Sequence, residues 1–301
     1  MATPGPRAVK TTEGVLTTAD GQALYTKAWE PPPDAAKALL VWLHGFSDHC
    51  NTFGDFFEAL ASHGIAVHSL DQRGWGRSVA RQSDKGLTGP TETVLSDMTD
   101  FVRALPQTDL PLFLGGHSMG GAQALLWAAR GPAKTRLAVR GYVVAAPFLR
   151  FHPSMAPPRV IVWLARVLAR WLPNQQLYNK PRLERLCRDG GVRRAMADDP
   201  LLHNLGTLHG VADMMRRGDE IADGLHDLPA AEDEATSLWI GHGSGDRIVC
   251  PDAVRDYFAR SRVEDKHLRT YEGCYHNLHQ EPGRHKADFA SDVVAWISER
   301  A

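Results

Sequence analysis

The run Ala38-Leu39-Leu40-Val41-Trp42-Leu43 is six consecutive apolar residues without a polar interruption. A strand with one face in water alternates apolar and polar side chains, so an unbroken run of this length needs cover on both faces. Further strand candidates are Ile65 to Leu70, Leu110 to Leu114, Gly141 to Ala145, Ser237 to Ile240 and His267 to Tyr271. Helical segments separate them: Phe53, Phe56, Phe57 and Leu60 recur at helical spacing, and Val94 to Ala104 reads as a second helix. Strands alternating with helices predict an α/β chain with a mostly parallel central sheet and helices on both faces. An N-terminal hairpin precedes this pattern, with Asp20-Gly21 as its turn between Thr17 and Trp29 and Pro31-Pro32-Pro33 as its end. Sheets of this kind bind ligands beyond the carboxyl ends of their strands, so the residues just after each strand carry the chemistry.

One stretch breaks the alternation. From Pro147 to Pro229 no convincing strand appears, only helical segments, prolines and glycines, which predicts a helical lid over residues 147–229. The core then comprises residues 13–146 and 230–301, and residues 1–12, rich in Pro, Gly and Thr, form a loose tail. A net charge of -1 removes the electrostatic reason to expect nucleic acid as a partner. The four cysteines are scattered, with no CxxC pair, and read as reduced thiols of a cytoplasmic protein. No signal-peptide core and no membrane-spanning apolar run occurs in the sequence.

The most specific motif is Gly116-His117-Ser118-Met119-Gly120, which fits G-x-S-x-G, follows the strand ending at Leu114 and opens the apolar helix Ala122 to Ala129. In that setting a strained strand-to-helix turn lifts Ser118 above the sheet, and the Met119 N–H at the helix start faces a developing oxyanion. A serine hydroxyl needs a base, and the base needs an orienting acid. Asp246 follows one late strand on the loop Gly241-His242-Gly243-Ser244-Gly245, and His276 follows the last strand. Asp252 is a rival acid, better suited to capping a helix, and His279 is a rival base. A second oxyanion donor is expected after Leu43, where Gly45 lets the Phe46 N–H turn toward substrate. His44 beside it is read as satisfying backbone groups rather than binding metal, and no metal or other cofactor is expected.

Taken together, these segments resemble the monoacylglycerol lipases of the lysophospholipase-like branch of α/β-hydrolases. The resemblance rests on His44-Gly45 with Asp48-His49, on Asp71-Gln72-Arg73-Gly74-Trp75-Gly76, on Gly116 to Gly121, and on Tyr271 to Glu281. Leu164 to Leu177 and Asp199-Pro200-Leu201 extend it into the lid, so it runs from about residue 13 to the end. It implies the α/β-hydrolase fold, cleavage of a lipid ester, and a polar head-group pocket involving Asp48 and His279. Where some relatives place a lid tyrosine near the glycerol, this chain has Met196. Related substrates, lysophospholipids, small esters or a peptide bond, stay open, as does a catalytically inactive binding protein. Dehalogenase and epoxide hydrolase chemistry is excluded, since both need a carboxylate where Ser118 stands. Within the lid, Val160, Ile161, Trp163, Leu164, Val167, Leu168, Trp171 and Leu172 recur at helical spacing, interrupted by Arg159, Arg166 and Arg170. Such a basic amphipathic helix either touches a membrane or lipid-droplet surface reversibly or packs on the body and walls an acyl tunnel.

Overall fold

A computed structural model describes residues 9–228 and 236–301, apart from the side chain of Arg159. In chain order the elements are β1 (Lys10–Thr17), β2 (Ala23–Glu30), β3 (Ala38–Leu43), α1 (Gly54–Ser62), β4 (Ile65–Leu70), α2 (Thr91–Arg103), β5 (Leu112–His117), α3 (Met119–Arg130), α4 (Ala133–Arg136) and β6 (Val139–Ala145). Then follow α5 (Arg159–Ala169), β7 (Gln176–Tyr178), α6 (Leu183–Leu186), α7 (Gly190–Asp198), β8 (Leu205–Thr207), α8 (Leu208–Ala222), β9 (Ser237–Gly243), α9 (Pro251–Arg260), β10 (Asp265–Tyr271) and α10 (His285–Ser298).

The main sheet has eight strands in the order β1-β2-β4-β3-β5-β6-β9-β10. Only the β1–β2 and β2–β4 pairings are antiparallel. Helices cover both faces, as the unbroken apolar strands require. Alternate residues of β3 feed two different cores: Leu39, Val41 and Leu43 join one with α2, α3, α8 and α9. Ala38, Leu40 and Trp42 join the other, packed by Phe56, Phe57 and Leu60 of α1 and by Phe289, Val293 and Trp296 of α10. Trp42 is ringed by edge-on contacts to Phe53, Phe56 and Phe57. This is the α/β-hydrolase fold.

Strand order reverses between β4 and β5 on either side of β3, which makes the carboxyl ends of β3 and β5 the switch point of the sheet. Leu43 pairs with Gly116 there, and the edge continues through His117 with Ala145 and Gly243 with Tyr271.

Two expectations need correction. Lys10 to Thr12 belong to β1, paired with Ala28 to Glu30, so no tail reaches residue 12; residues 1–8 of the expected tail lie outside the described residues. The segment 147–229 is not purely helical, because β7 and β8 form an antiparallel ladder of three residues each; its expected end at residue 229 lies outside the described residues. Among the described residues no helix is long and apolar enough to cross a membrane. All four cysteines are free.

The aromatic packing beneath β3 generates a stability prediction. Phe57 is fully buried against Trp29, Trp42 and Phe53. Phe57→Ala should lower the unfolding free energy by about 3–5 kcal/mol, read from urea denaturation curves; a change under about 1 kcal/mol would mean that the neighbouring rings close the gap.

Candidate active site

Ser118 sits between β5 and α3 with φ 54° and ψ -117°, a left-handed backbone that a residue with a Cβ adopts at a cost of about 1–3 kcal/mol. Three bonds hold it there: its N–H donates to Ala145 O at 3.0 Å, and its carbonyl accepts from Ala122 N–H at 3.1 Å and Phe148 N–H at 2.9 Å. The turn is pressed against the end of β3. A Cβ on Gly120 would lie 2.3 Å from Leu43 O and 2.5 Å from His44 O, so only glycine fits. Met119 follows as the first residue of α3, where its N–H has no acceptor within the helix.

The loop after β3 closes over this turn from the other side. The Cβ position of Gly45 is 3.3 Å from Ser118 Cβ, which brings the backbone leading into Phe46 directly against the serine. Ser47 adopts φ 51° and its hydroxyl accepts from Asn204 N–H at 2.7 Å. The Phe46 ring meets Trp75 edge-on at 4.8 Å, and Trp75 stacks on His203 at 5.1 Å. His44 satisfies backbone groups: its Nδ1 lies 2.8 Å from Gly45 O, its Nε2 accepts from Gln72 N–H at 2.9 Å, and burial lowers its pKa. Among the described residues no cluster of His, Cys, Asp and Glu could hold a metal ion.

Asp246 and His276 meet on the same edge, with His276 Nδ1 2.7 Å from Asp246 Oδ2. Both are buried, at 2% exposure each. Burial works to raise the Asp246 pKa, but the charge of His276 and hydrogen bonds from His242 and His276 hold it well below the carboxylate range. An imidazole bonded to a carboxylate through Nδ1 presents Nε2 as its basic nitrogen. His117 fastens the base loop to the nucleophile strand: its Nε2 lies 3.1 Å from His276 O and the two rings are 4.6 Å apart. Burial, then the neighbouring His276 and His279, keeps His117 well below its ordinary pKa, so it is a neutral donor. A serine in a strained turn, a buried histidine–carboxylate pair and backbone N–H groups on one sheet edge are the groups that acyl transfer requires.

The remaining expected residues occupy different places. Asp252 is in the first turn of α9. His279 stacks on Phe53 with centroids 4.1 Å apart, and burial, then His276, lowers its pKa to about 3. A cavity of about 540 Å³ is walled by His49, Thr52, Arg77, Met196, Asp199 and Leu201 among others, and neither Ser118 nor Asp246 nor His276 lines it. Met196 lines it directly. Asp48 supports its wall from behind, with Oδ1 2.6 Å from the Thr52 hydroxyl and 2.8 Å from His49 N–H. The sequence reading missed His242, whose Nε2 lies 3.0 Å from Asp246 Oδ2. Its signal was present, a histidine between two glycines just before the acid. Cys274, near the base, is buried, and its thiol is pushed up to about 11, which makes it inert at neutral pH.

Residues 34–283 match the profile of the serine aminopeptidase S33 family. A Schizosaccharomyces pombe protein provisionally named a monoglyceride lipase is 34% identical over 279 residues, covering 92% of this chain and 72% of that one. The chain belongs to the S33 family, in its monoglyceride-lipase-like branch. The S33 match and the monoglyceride-lipase relatives together make it a serine ester hydrolase. The Mus musculus monoglyceride lipase is 27% identical, covering 95% of this chain and 90% of that one. In structure the S33 fold is shared with a soluble variant of Saccharomyces cerevisiae monoglyceride lipase, solved with a substrate analogue. The TM-score is 0.85 at 23% identity, over 99% of this chain and 98% of that one.

The buried wall residue Asp48 gives a pH-dependent prediction. Burial raises its carboxyl above the ordinary value, against the opposing pull of His44 and Thr52. A carboxyl raised on folding ionises less readily in the folded state, so its stability contribution declines as pH climbs above about 4. Asp48→Asn keeps an acceptor and removes the charge. Thermal melts of the two proteins should coincide at low pH and separate in favour of Asn as pH rises toward neutrality. A constant difference across that range would show that the carboxylate ionises without penalty.

Proposed function

We propose that this enzyme hydrolyses monoacylglycerols to fatty acid and glycerol through a covalent acyl-enzyme on Ser118. The observation that carries the reading is the buried Asp246–His276 pair at 2.7 Å, on the sheet edge where Ser118 is held in its left-handed turn. In this mechanism His276 Nε2 takes the Ser118 proton as Oγ attacks the ester carbonyl carbon. The tetrahedral oxyanion is bound by the Phe46 and Met119 N–H groups. Collapse breaks the bond to glycerol, whose oxygen receives the proton from His276. Water then attacks the acyl-enzyme, again giving its proton to His276, and fatty acid leaves as Ser118 regains its hydrogen. Asp246 stays ionised and stabilises the imidazolium in both halves.

The S33 name refers to peptide cleavage, which the same triad could perform. Ester cleavage is favoured because similar proteins with near-full coverage are named monoglyceride lipases. Asp48, Met196 and His279 are the residues proposed to shape the head-group side of the cavity, Asp48 and His279 by supporting its wall. An inactive binding role is disfavoured by the strain at Ser118, which a binding protein would have no reason to keep.

Residues 147–229 are proposed to act as the lid, and α5 as the part that meets a membrane or lipid-droplet surface inside the cell. Much of the apolar surface of this helix and of the two residues Trp171 and Leu172 that follow it faces away from the body. Trp163 is 60% exposed and Trp171 80%, and Val160, Ile161, Leu164, Val167, Leu168 and Leu172 are exposed with them. Among the described side chains of α5 only Ala169 is buried, while Arg166 pairs with Asp219 of α8 at 3.4 Å. An apolar face of this extent in water is a liability unless a lipid surface covers it.

Two experiments test these readings. Ser118→Ala should lose fluorophosphonate labelling and about 10³-fold or more of monoacylglycerol turnover; substantial residual esterase activity would remove Ser118 from the chemistry. Trp163→Ser with Leu164→Ser should reduce sedimentation with phospholipid vesicles and long-chain hydrolysis several-fold, with the melting temperature and short-ester hydrolysis unchanged. Uniform loss with a lower melting temperature would instead place these side chains in the core.

A further inference from the structure

Asp246 carries one donor more than orienting a base requires. Its Oδ1 accepts from Ile248 N–H at 2.7 Å and Val249 N–H at 3.0 Å. Its Oδ2 is shared by two imidazoles, His276 through Nδ1 at 2.7 Å and His242 through Nε2 at 3.0 Å. His242 lies on β9 four residues before the acid, and the Gly243-Ser244-Gly245 turn folds Asp246 back onto its own strand. It is buried, and its Nδ1 has no protein partner. A proton on Nδ1 would therefore be buried and unsatisfied, whereas a proton on Nε2 meets a carboxylate. The geometry calls for a proton on Nε2, where it meets the carboxylate.

Two consequences follow for the base. The bonds to Oδ1 fix one oxygen of the carboxylate, and the His242 bond fixes the other, so the oxygen that faces His276 cannot rotate away. A second N–H on Oδ2 also draws off part of the negative charge that this oxygen offers to His276, which makes the base weaker than a singly bonded carboxylate would. The other titratable groups facing His276 are His117, from the end of β5, and His279, on its own loop; burial keeps both neutral. Arg188, from the segment between α6 and α7, is paired with Glu281 of the loop that carries His276. None of these reaches Asp246 Oδ2.

Resting on the triad reading above, we propose that His242 is a positioning residue that locks the Asp246 carboxylate and tempers the basicity it confers on His276. The experiment is the pH profile of kcat/KM on a short soluble ester for wild type, His242→Leu and His242→Gln. Leucine fills much of the ring volume without a donor; glutamine keeps an N–H at similar reach. The acid limb of kcat/KM reports the base in the free enzyme. In the Leu variant this limb should move up by about half to one pH unit, with kcat lowered roughly ten-fold and KM nearly constant. The Gln variant should return the limb to its wild-type position. A folded Leu variant with an unmoved limb overturns the proposal, and so does an equal displacement in both variants. Should the Leu variant fail to fold, ¹⁵N spectra of the wild-type enzyme decide: His242 must carry a proton on Nε2 at the pH of activity. A neutral ring protonated on Nδ1 alone refutes it. Failure of the triad reading looks different, as Ser118→Ala would then keep its turnover, and that result sinks both.

Discussion

Between the end of β3 and the start of α3 there is room for backbone and nothing else. Gly120 faces the Leu43 and His44 carbonyls at distances no Cβ could share, and Gly45 brings the following loop onto Ser118 from the opposite side. That double approach holds the serine at φ 54° and sets the Met119 and Phe46 backbone on either side of it. The cores on the two faces of the sheet supply the force that holds this contact closed, because β3 and β5 cannot separate without exposing both. The strain at Ser118 is local, and the packing that offsets it is spread over the whole sheet.

Asp246 and His276 depend on the same edge in a different way. Each comes from a loop after a parallel strand, and each loop is fixed by short-range bonds: Asp246 by the N–H groups of Ile248 and Val249, His276 by His117 through its carbonyl. His117 and His279 are buried and held neutral, while the Asp246 carboxylate is held ionised. A single ionised group in a dry pocket gives that pair its polarity.

Much of this was legible in the chain because the physics was local. Ala38 to Leu43 and Ile65 to Leu70 became strands with the bounds their apolar runs define. The serine turn announced itself through the spacing of its glycines. What escaped was written in non-local terms. Lys10-Thr-Thr-Glu-Gly-Val-Leu-Thr17 is an exposed edge strand with no buried face to pattern it, and only its pairing with β2 makes it a strand. Gln176 to Tyr178 and Leu205 to Thr207 are too short for any period to show. His242 looked like one more histidine, because its meaning lies in a turn that brings Asp246 back to it. Asp48 and His279 read as pocket residues by resemblance; their contacts, Asp48 with Thr52 and His49 and His279 with Phe53, are not encoded at single polar positions.

The inner part of the segment between β6 and β9 is fastened to the catalytic loops at several points. Asn204 N–H bonds Ser47, His49 Nε2 lies 2.9 Å from Asp199, His203 Nε2 lies 3.1 Å from Gly74 O, and Asn277 N–H donates to Leu186 O at 2.8 Å. Arg188 closes on the buried Glu281. Helix α5, by contrast, rests on α8 and reaches none of these loops through any of those bonds. The insertion therefore divides into two parts of unequal exchangeability. Residues around α5 form an appendage whose replacement leaves those bonds intact. Those from Leu186 to Asn204 cannot be grafted separately, because they and the loops after β3 and β10 form one cooperative unit whose partners must be inherited together.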